Sequence, residues 1–362
     1  MAYNIGIITH YDVHNHGAIL QLNGLVQFLR KRGFEARGLQ FDKNYDFLGV
    51  ELKSKYNISI KSIPFYISYL IKKGIKRTSF NYFKKRLLDS FKASNNLIGE
   101  YYTATKGLDT IIIGSDEVFA LHTGPTPIFY GHGSPAHKTI SYAASFGPTT
   151  IEDINRLNCK AFVASGIDGL DAISVRDNNS KTIVEELVGK ESQIVLDPVL
   201  LYGYIDELSV MKRPMSQKYM VVYAYDEHMN DPKEVLAIKR YAKDNNLIIV
   251  SPGFYHSWAD RNVNVSPLGL LNYVKFAECV VTDTFHGSVT SLICNTQFAS
   301  ILRGNTNKLQ FLLSEYDLTS RIVKSIENLS QIFDSTIDYS IVNKTISSKR
   351  VKSEEFLLKN LR

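Results

Sequence analysis

The stretch VVTDTFHGS at residues 280–288 decides the fold of the second half of the chain. Its first residues complete an apolar run that begins at Cys279 and spans residues 279–282, and a helical pattern follows the polar residues after this run. An unbroken apolar run, rather than an alternating one, is typical of strands covered on both faces in a parallel sheet. We therefore predict a buried parallel β-strand that leads through a turn into a helix.

The turn after this strand carries candidate catalytic residues. Gly287 lets a ligand approach the backbone closely. A helix start, together with the Ser288 hydroxyl, can bind phosphate oxygens. Histidine titrates near neutral pH, so His286 is a candidate general acid. A core or helix-capping histidine is the alternative interpretation.

Similar apolar runs recur along the chain, separated by helical patterns and loops. They lie at residues 4–9, 110–113, 139–144, 172–175, 193–196, 219–224, 247–251, 279–282 and 298–302. Strands that alternate with helices predict an α/β architecture. A polar stretch that contains Pro214 separates two such series. We predict two Rossmann-like domains, residues 1–210 and 211–362, with a helical tail at the end of the second.

The composition is that of a globular protein. Of 362 residues, 44% are hydrophobic and 22% are charged, which excludes wholesale disorder. Cys159, Cys279 and Cys294 are far apart and form no CxxC pair, which argues against a zinc ribbon or a disulfide scaffold. The first residues do not resemble a signal peptide, and no apolar run is long enough to span a bilayer. We expect a cytoplasmic protein.

Positive charge is concentrated in residues 51–94, among many aromatic residues. The segment has eleven Lys and Arg against Glu51 and Asp89, so its charge exceeds the net +6 of the whole chain. Such a local charge argues against a nucleic-acid-binding protein and indicates one docking face for an anion. One interpretation is a helical insertion with a solvated basic face, and a second is a surface for anionic lipid or a lipid-linked substrate. Nucleic-acid binding is a third interpretation, which is less favoured because no binding motif accompanies the charge.

Polar residues also follow two other apolar runs. Ser115 and Asp116 come just after residues 110–113, at the sheet edge where α/β sites form, although capping a helix is the alternative. Arg176 follows residues 172–175. Arginine grips a carboxylate or a phosphate through two parallel hydrogen bonds, although a structural pair with the neighbouring aspartate is the alternative.

The loop at residues 10–17 joins the first strand to a helix whose start is suited to an anion. It contains no GxGxxG pattern, so dinucleotide binding is not predicted. Its alternating ionisable residues leave a metal site as an alternative to a turn. These residues are His10, Asp12, His14 and His16.

Taken together and in order, six segments resemble the polysaccharide pyruvyl transferase family. They are NHGAILQ (15–21), GSDEVF (114–119), YAASFG (142–147), SVRD (174–177), LDPVL (196–200) and TDTFHGS (282–288). Where the family usually has Tyr, Gln and Trp, this chain has His16, Glu117 and Phe119. The basic segment lies outside the resemblance.

The resemblance implies a GT-B-like fold, in which two Rossmann-like domains face each other across a cleft. It also implies phosphoenolpyruvate as the donor and two hydroxyls of a sugar in a cell-surface polysaccharide precursor as the acceptor. The product would be a cyclic pyruvate ketal, with release of phosphate. Family members often act on lipid-linked glycans in the cytoplasm. We expect no metal, no other cofactor and no nucleic-acid partner, and contact with the inner face of the membrane is an open expectation.

The residue types suggest which side chain would carry out each part of such a reaction. His286 would protonate the methylene carbon of the enol, and Asp116 would be the base for a sugar hydroxyl. Predicted donor-binding residues are Arg176, Gly287, Ser288 and Lys308. Predicted acceptor-binding residues, which the resemblance implies, are Asn15, His16, Gly17, Gln21 and Ser115.

Three other functions stay open at this point. A GT-B glycosyltransferase would release a nucleoside diphosphate instead of inorganic phosphate. A metal-dependent hydrolase built on the residues of the first loop would lose activity with a chelator. A glycan- or lipid-binding protein without catalysis would not bring His286 and Arg176 to one cleft.

Overall fold

Two five-stranded parallel sheets organise the chain. The computed structural model describes residues 3–42, 74–123, 126–303 and 306–361. The strands are β1 (Asn4–Ile8), β2 (Glu35–Gln40), β3 (Ile98–Tyr101), β4 (Thr110–Ile113), β5 (Lys138–Ser141), β6 (Ser174–Val175), β7 (Gln193–Ile194), β8 (Tyr219–Tyr223), β9 (Ile248–Pro252), β10 (Arg261–Val263), β11 (Cys279–Thr282) and β12 (Phe298–Ser300). The first sheet has the order β3-β2-β1-β4-β5, and the second has the order β10-β9-β8-β11-β12. Strands β6 and β7 form a small parallel pair beside the first sheet.

Helices connect most of the strands. They are α1 (His16–Arg30), α2 (Ile75–Ser94), α3 (Ile151–Arg156), α4 (Lys160–Asp168), α5 (Asn178–Val188), α6 (Pro198–Tyr202), α7 (Ile205–Ser209), α8 (Pro232–Asp244), α9 (Pro267–Lys275), α10 (Phe285–Cys294), α11 (Thr306–Glu315), α12 (Leu329–Asp334) and α13 (Tyr339–Leu361). Short 3-10 turns lie at Pro127–Tyr130, Thr319–Arg321 and Ile326–Asn328.

The central strands are covered on both faces, which explains their unbroken apolar sequence. In β4, Ile111 and Ile113 pack into one hydrophobic core cluster and Ile112 packs into another. In β11, Val280 and Val281 divide between two clusters in the same way. Successive side chains of a strand point to opposite faces, so each face of these strands needs apolar residues. The prediction of an α/β fold with buried parallel strands is confirmed.

The C-terminal helix contacts the cores of both halves. Near its start, Val342 and Ile346 pack in a core cluster that contains residues of β8 and β11. Near its end, Phe356 and Leu357 pack in a cluster that contains residues of β1 and β4. The tail predicted for the second domain therefore returns to the first sheet. The domain boundary at residue 210 stays a prediction.

The basic segment joins the two halves through α2. Residues 43–73 lie outside the described residues. Of the predicted basic segment, residues 51–94, the structure therefore describes only residues 74–94. Arg77 of α2 forms ion pairs with Asp226 (3.0 Å) and Glu227 (2.6 Å), which follow β8. Lys84 is buried, with its ammonium 4.6 Å from the centre of the Phe254 ring. No helix in the described part of the chain is long and apolar enough to cross a membrane.

Candidate active site

A cavity of about 480 Å³ lies at the carboxyl ends of β1, β4, β8 and β11. This is the position at which parallel α/β sheets bind ligands. Both halves of the chain contribute to its wall. The lining residues are His10, Val13, Asn15, Ala18, Asp116, Glu117, Thr123, Tyr223, Tyr225, His228, Asp283, Thr284, Phe285, His286, Arg303, Lys308 and Leu309. Of the predicted site residues, the cavity thus brings together His286, Asp116, Lys308 and Asn15.

The turn after β11 places His286 in this wall. Thr284 caps α10, because its Oγ1 accepts a hydrogen bond of 2.9 Å from the Gly287 amide. A Cβ on Gly287 would lie 2.0 Å from Thr282 Oγ1, so the tight turn requires glycine there. Ser288 is fully buried and shares a 2.8 Å hydrogen bond with Ser300. Gly287 and Ser288 therefore support the turn, and neither lines the cavity as the donor-binding prediction requires.

His286 contacts two segments of the first half of the chain. Gly17, in the first turn of α1, packs directly against its ring, and a Cβ on Gly17 would lie 2.4 Å from His286 Cγ. On the other side, His286 Nε2 is 3.6 Å from Asp197 Oδ2. Gly17 was predicted to bind the acceptor, but its position assigns it to the placement of His286.

Arg176 and His286 both lie beside the Asp197 carboxylate, but Arg176 does not line the cavity. Its NH1 donates to Asp197 (3.2 Å), and its NH2 donates to Asp116 (3.3 Å). The guanidinium lies 4.3 Å from the centre of the Phe285 ring and faces a smaller neighbouring cavity of about 260 Å³. The prediction that Arg176 grips the donor is therefore not supported by its position. Its donors hold two carboxylates instead.

Asp116 and Glu117 bring negative charge to the cavity from the end of β4. Burial alone raises the pKa of a carboxyl, but the charges of Arg176 and His286 outweigh burial and hold the pKa of Asp116 well below its usual range. At Glu117 a hydrogen bond from His122 and the charge of Lys308 outweigh burial and lower the pKa to about 2. An aspartate with so low a pKa is a weak base at neutral pH.

Lys308 reaches across the cavity from α11. Its ammonium lies 2.6 Å from Glu117 Oε1, which makes an ion pair between the second half of the chain and the first. A second link crosses nearby, because Asn15 Nδ2 donates to the Tyr225 hydroxyl at 3.1 Å. Asn15 also caps α1 by accepting from the Gly17 amide. Lys308 and Asn15 thus both line the cavity, and their predicted roles in binding donor and acceptor stay predictions.

A histidine and an arginine of the second half also line the cavity, although neither is among the predicted site residues. His228 Nδ1 lies 2.8 Å from Asp283 Oδ2, and Arg303 Nε donates to the same oxygen at 3.2 Å. Arg303 is fixed in turn by two hydrogen bonds of 2.8 Å to Glu234. The apolar run of β8 is a predicted strand. Polar residues after such a run mark the carboxyl edge of the sheet, as they do for Asp116, so the same rule could have pointed to the residues after β8.

The other predicted acceptor residues are buried supports. His16 Nε2 donates to the Val265 carbonyl at 2.9 Å across the two halves, and burial lowers the pKa of His16 to about 4. Gln21 and Ser115 are fully buried and bonded to each other. None of the three lines the cavity, so a direct contact with a sugar is not supported by their positions.

The alternating residues of the first loop do not converge. His10 Nε2 lies 3.3 Å from the Glu117 carbonyl, and His14 lies 3.8 Å from Asp89. Asp12 is exposed, and His16 faces Val265. Within residues 3–42, 74–123, 126–303 and 306–361, no three His, Cys, Asp or Glu side chains are grouped to hold a metal ion.

The segments that form this cavity correspond to a known family. The model of the family described as polysaccharide pyruvyl transferase matches residues 15–305. The chain belongs to this family. The match runs from Asn15 to just beyond Arg303 and so includes most of the cavity wall. The family identifies this member as a transferase of polysaccharide synthesis. No curated protein matches the sequence significantly.

Solved structures share the fold at low sequence identity. UDP-GlcNAc 2-epimerase from Neisseria meningitidis, bound to UDP-GlcNAc, is 11% identical with a TM-score of 0.52, covering 99% of this chain and 100% of its own. Arabidopsis thaliana UGT89C1, complexed with UDP-L-rhamnose, is 10% identical with a TM-score of 0.52, covering 100% and 97%. UDP-N-acetylglucosamine 2-epimerase from Rickettsia bellii is 11% identical with a TM-score of 0.50, covering 100% and 97%. The predicted GT-B-like fold of this pyruvyl transferase family member is confirmed.

Proposed function

We propose that this family member moves the pyruvate unit of phosphoenolpyruvate onto two hydroxyls of one sugar in a cell-surface polysaccharide precursor. The product is a cyclic ketal, and phosphate is released. The observation that carries the proposal is the single cavity in which His286 and Lys308 of the second half face Asp116 and Asn15 of the first. Pyruvyl transfer to a polysaccharide follows from the family, and the donor and the ketal are the proposed part.

The cations that line the cavity are suited to the donor. Phosphoenolpyruvate carries a phosphate and a carboxylate on a small carbon skeleton. Lys308 has three N–H donors and Arg303 has five, more than their ion pairs with Glu117, Asp283 and Glu234 use. We assign donor binding to Lys308 and Arg303, in place of the Arg176, Gly287 and Ser288 of the sequence prediction.

His286 supplies the proton that starts the reaction. Protonation of the methylene carbon of the enol leaves an oxocarbenium-like centre at the next carbon, which a sugar hydroxyl attacks. A second hydroxyl then displaces phosphate. Asp116 is suited to accept a hydrogen bond from the sugar and to stabilise the positive centre by its charge. It acts as an ionised neighbour rather than as the base.

The outward face of α2 favours an acceptor at a membrane. Exposed apolar residues recur along it at helical spacing, with Ile75 82%, Tyr82 57%, Phe83 51% and Leu87 37% exposed. Arg86 lies on the same face. Apolar side chains with a neighbouring cation are typical of helices that lie on anionic lipid. We propose that this face contacts the inner surface of the cell membrane and presents a lipid-linked sugar to the cavity.

The direct test is incubation of the purified protein with phosphoenolpyruvate and a panel of lipid-linked or synthetic glycosides. We expect acceptor-dependent phosphate release and a product mass that corresponds to a pyruvate ketal. His286→Ala should lower the rate by roughly 10²–10⁴-fold, the usual contribution of a general acid. His137→Ala, at an exposed histidine outside the cavity wall, is the matched control and should keep the rate. Release of a nucleoside diphosphate from a nucleotide sugar, with phosphoenolpyruvate inert, would instead support a glycosyltransferase.

A further inference from the structure

We infer that His228 is the general base that takes the proton of the attacking sugar hydroxyl, and that Asp283 positions it. The inference rests on the proposed pyruvyl transfer. It starts from the shared cavity, which His228 and His286 both line. The His228 side chain is 38% exposed, whereas that of Asp283 is fully buried. The imidazole is therefore accessible to a substrate while its partner is not.

The hydrogen bond between the two side chains fixes which nitrogen is free. An ionised carboxylate can only accept, so the 2.8 Å contact requires a proton on His228 Nδ1. Nε2 of the neutral ring then carries the lone pair and can accept a proton. This is the arrangement in which an aspartate orients a catalytic histidine.

The carboxylate of Asp283 is itself held in place. Arg303 donates through Nε to the oxygen that His228 contacts, and it is anchored by two hydrogen bonds to Glu234. The Tyr225 ring also packs against the imidazole in a T-shaped arrangement, with 5.5 Å between the ring centres. These contacts fix the direction of the imidazole before substrate binds, as a positioned base requires.

Asp116, the carboxylate of the wall that the sequence predicts as the base, is less suited to this step. Asp116 is paired with Arg176 at 3.3 Å, and neighbouring positive charges keep it ionised and weakly basic. Imidazole is the side chain whose ordinary pKa lies closest to neutral pH, where a base is most effective.

Two histidines allow the proton count of the reaction to close. In the first step, His228 takes the proton of the first hydroxyl, and the oxygen of that hydroxyl bonds to C2 of the enol. His286 gives a proton to C3, which becomes a methyl group. In the second step, the second hydroxyl oxygen bonds to C2 as the C2–O bond to phosphate breaks. His286 takes the proton of that hydroxyl, and His228 returns its proton to the phosphate. Both residues end the cycle as they began.

His228→Ala tests the inference directly. We expect kcat to fall by roughly 10²–10⁴-fold, with the dissociation constant of phosphoenolpyruvate unchanged. Imidazole added to the solution should restore part of the rate, since the position is partly exposed. His228→Gln, which keeps a polar side chain without a base, should be equally slow. His137→Ala should behave as the parent protein.

Asp283→Asn tests the positioning role. It keeps a hydrogen-bond acceptor but removes the charge, so we expect a fall in kcat with KM unchanged and no rescue by imidazole. The inference is overturned if kcat of His228→Ala stays within a few-fold of the parent value, or if only KM changes. Either result leaves the proposed function standing. If the parent protein forms no ketal with any acceptor, the proposed function fails, and the inference fails with it.

Discussion

Replacement of Gly17 by alanine tests the geometry of the site more sharply than removal of a reacting group. The new Cβ would lie 2.4 Å from Cγ of His286, whereas ordinary contacts begin at 3.4 Å, so the imidazole has to move by about 1 Å. A displacement of this size at a reacting group can cost about 10²-fold in rate. We therefore expect Gly17→Ala to lower kcat by about 100-fold while the affinity for phosphoenolpyruvate changes little.

The assay is acceptor-dependent phosphate release, measured on protein whose folded fraction is known from thermal unfolding. Gly24→Ala is the control in the same helix, because its Cβ would lie 2.8 Å from the Pro198 carbonyl and its nearest atoms belong to Pro198 and Tyr202, not to His286. It should lower stability and leave the rate per folded molecule unchanged. In a protein that already carries His286→Ala, the change at Gly17 should cost nothing further. A full 100-fold loss in that background would refute the reasoning, since Gly17 would then act without His286.

Two further predictions concern stability and the membrane. Burial lowers the pKa of His16 to about 4 from an ordinary 6.5. As the pH falls, His16 therefore binds a proton in the unfolded chain before it does so in the folded protein. The stabilisation that is present above pH 6.5 is lost as the pH falls towards 4. The loss should reach about 3 kcal/mol, at 1.36 kcal/mol per pKa unit. Unfolding by denaturant at several pH values should show a shallower pH dependence for His16→Gln, and equal slopes would contradict this assignment. On vesicles of phosphatidylcholine with phosphatidylglycerol, the double variant Tyr82→Ser and Phe83→Ser should bind more weakly than Leu236→Ser, which changes an exposed residue of another helix. Absence of vesicle binding by the parent protein would contradict the proposed contact.

The fold was predictable because its signal is local. Strands such as β4 and β11 are buried on both faces, so their apolar runs are unbroken, and the polar residues that follow mark the carboxyl ends of the strands. In a parallel sheet these ends share one edge. That rule places Asp116 and His286 each at the carboxyl edge of its own sheet, and the resemblance to a GT-B-like fold predicts that the two edges face each other across one cleft, although 170 positions separate the two residues in the sequence.

The roles of individual side chains were less predictable because distant partners determine them. Arg176 has the chemistry to bind a phosphate, but its side chain is buried outside the cavity wall, where it pairs with Asp116 and Asp197. His16 lies in a segment that matches the family, but its ring is buried against Val265, 249 positions away. The same limit explains why His228 was missed, because its partner Asp283 comes 55 positions later.

His228 and His286 differ in the way that the neighbouring carboxylates hold their imidazoles, and this difference fits the opposite tasks proposed for them. Asp283 bonds to Nδ1 of His228 at 2.8 Å, which fixes the tautomer and leaves a lone pair on Nε2. Asp197 lies 3.6 Å from Nε2 of His286, beyond hydrogen-bond distance, and is engaged by Arg176. The ring of His286 is thus located by packing against Gly17 and not by a fixed tautomer. A base needs an assigned lone pair, whereas an acid that must later take a proton back needs a nitrogen that no partner claims. In the proposed reaction, this difference favours His228 as the group that takes the first proton and His286 as the group that gives one.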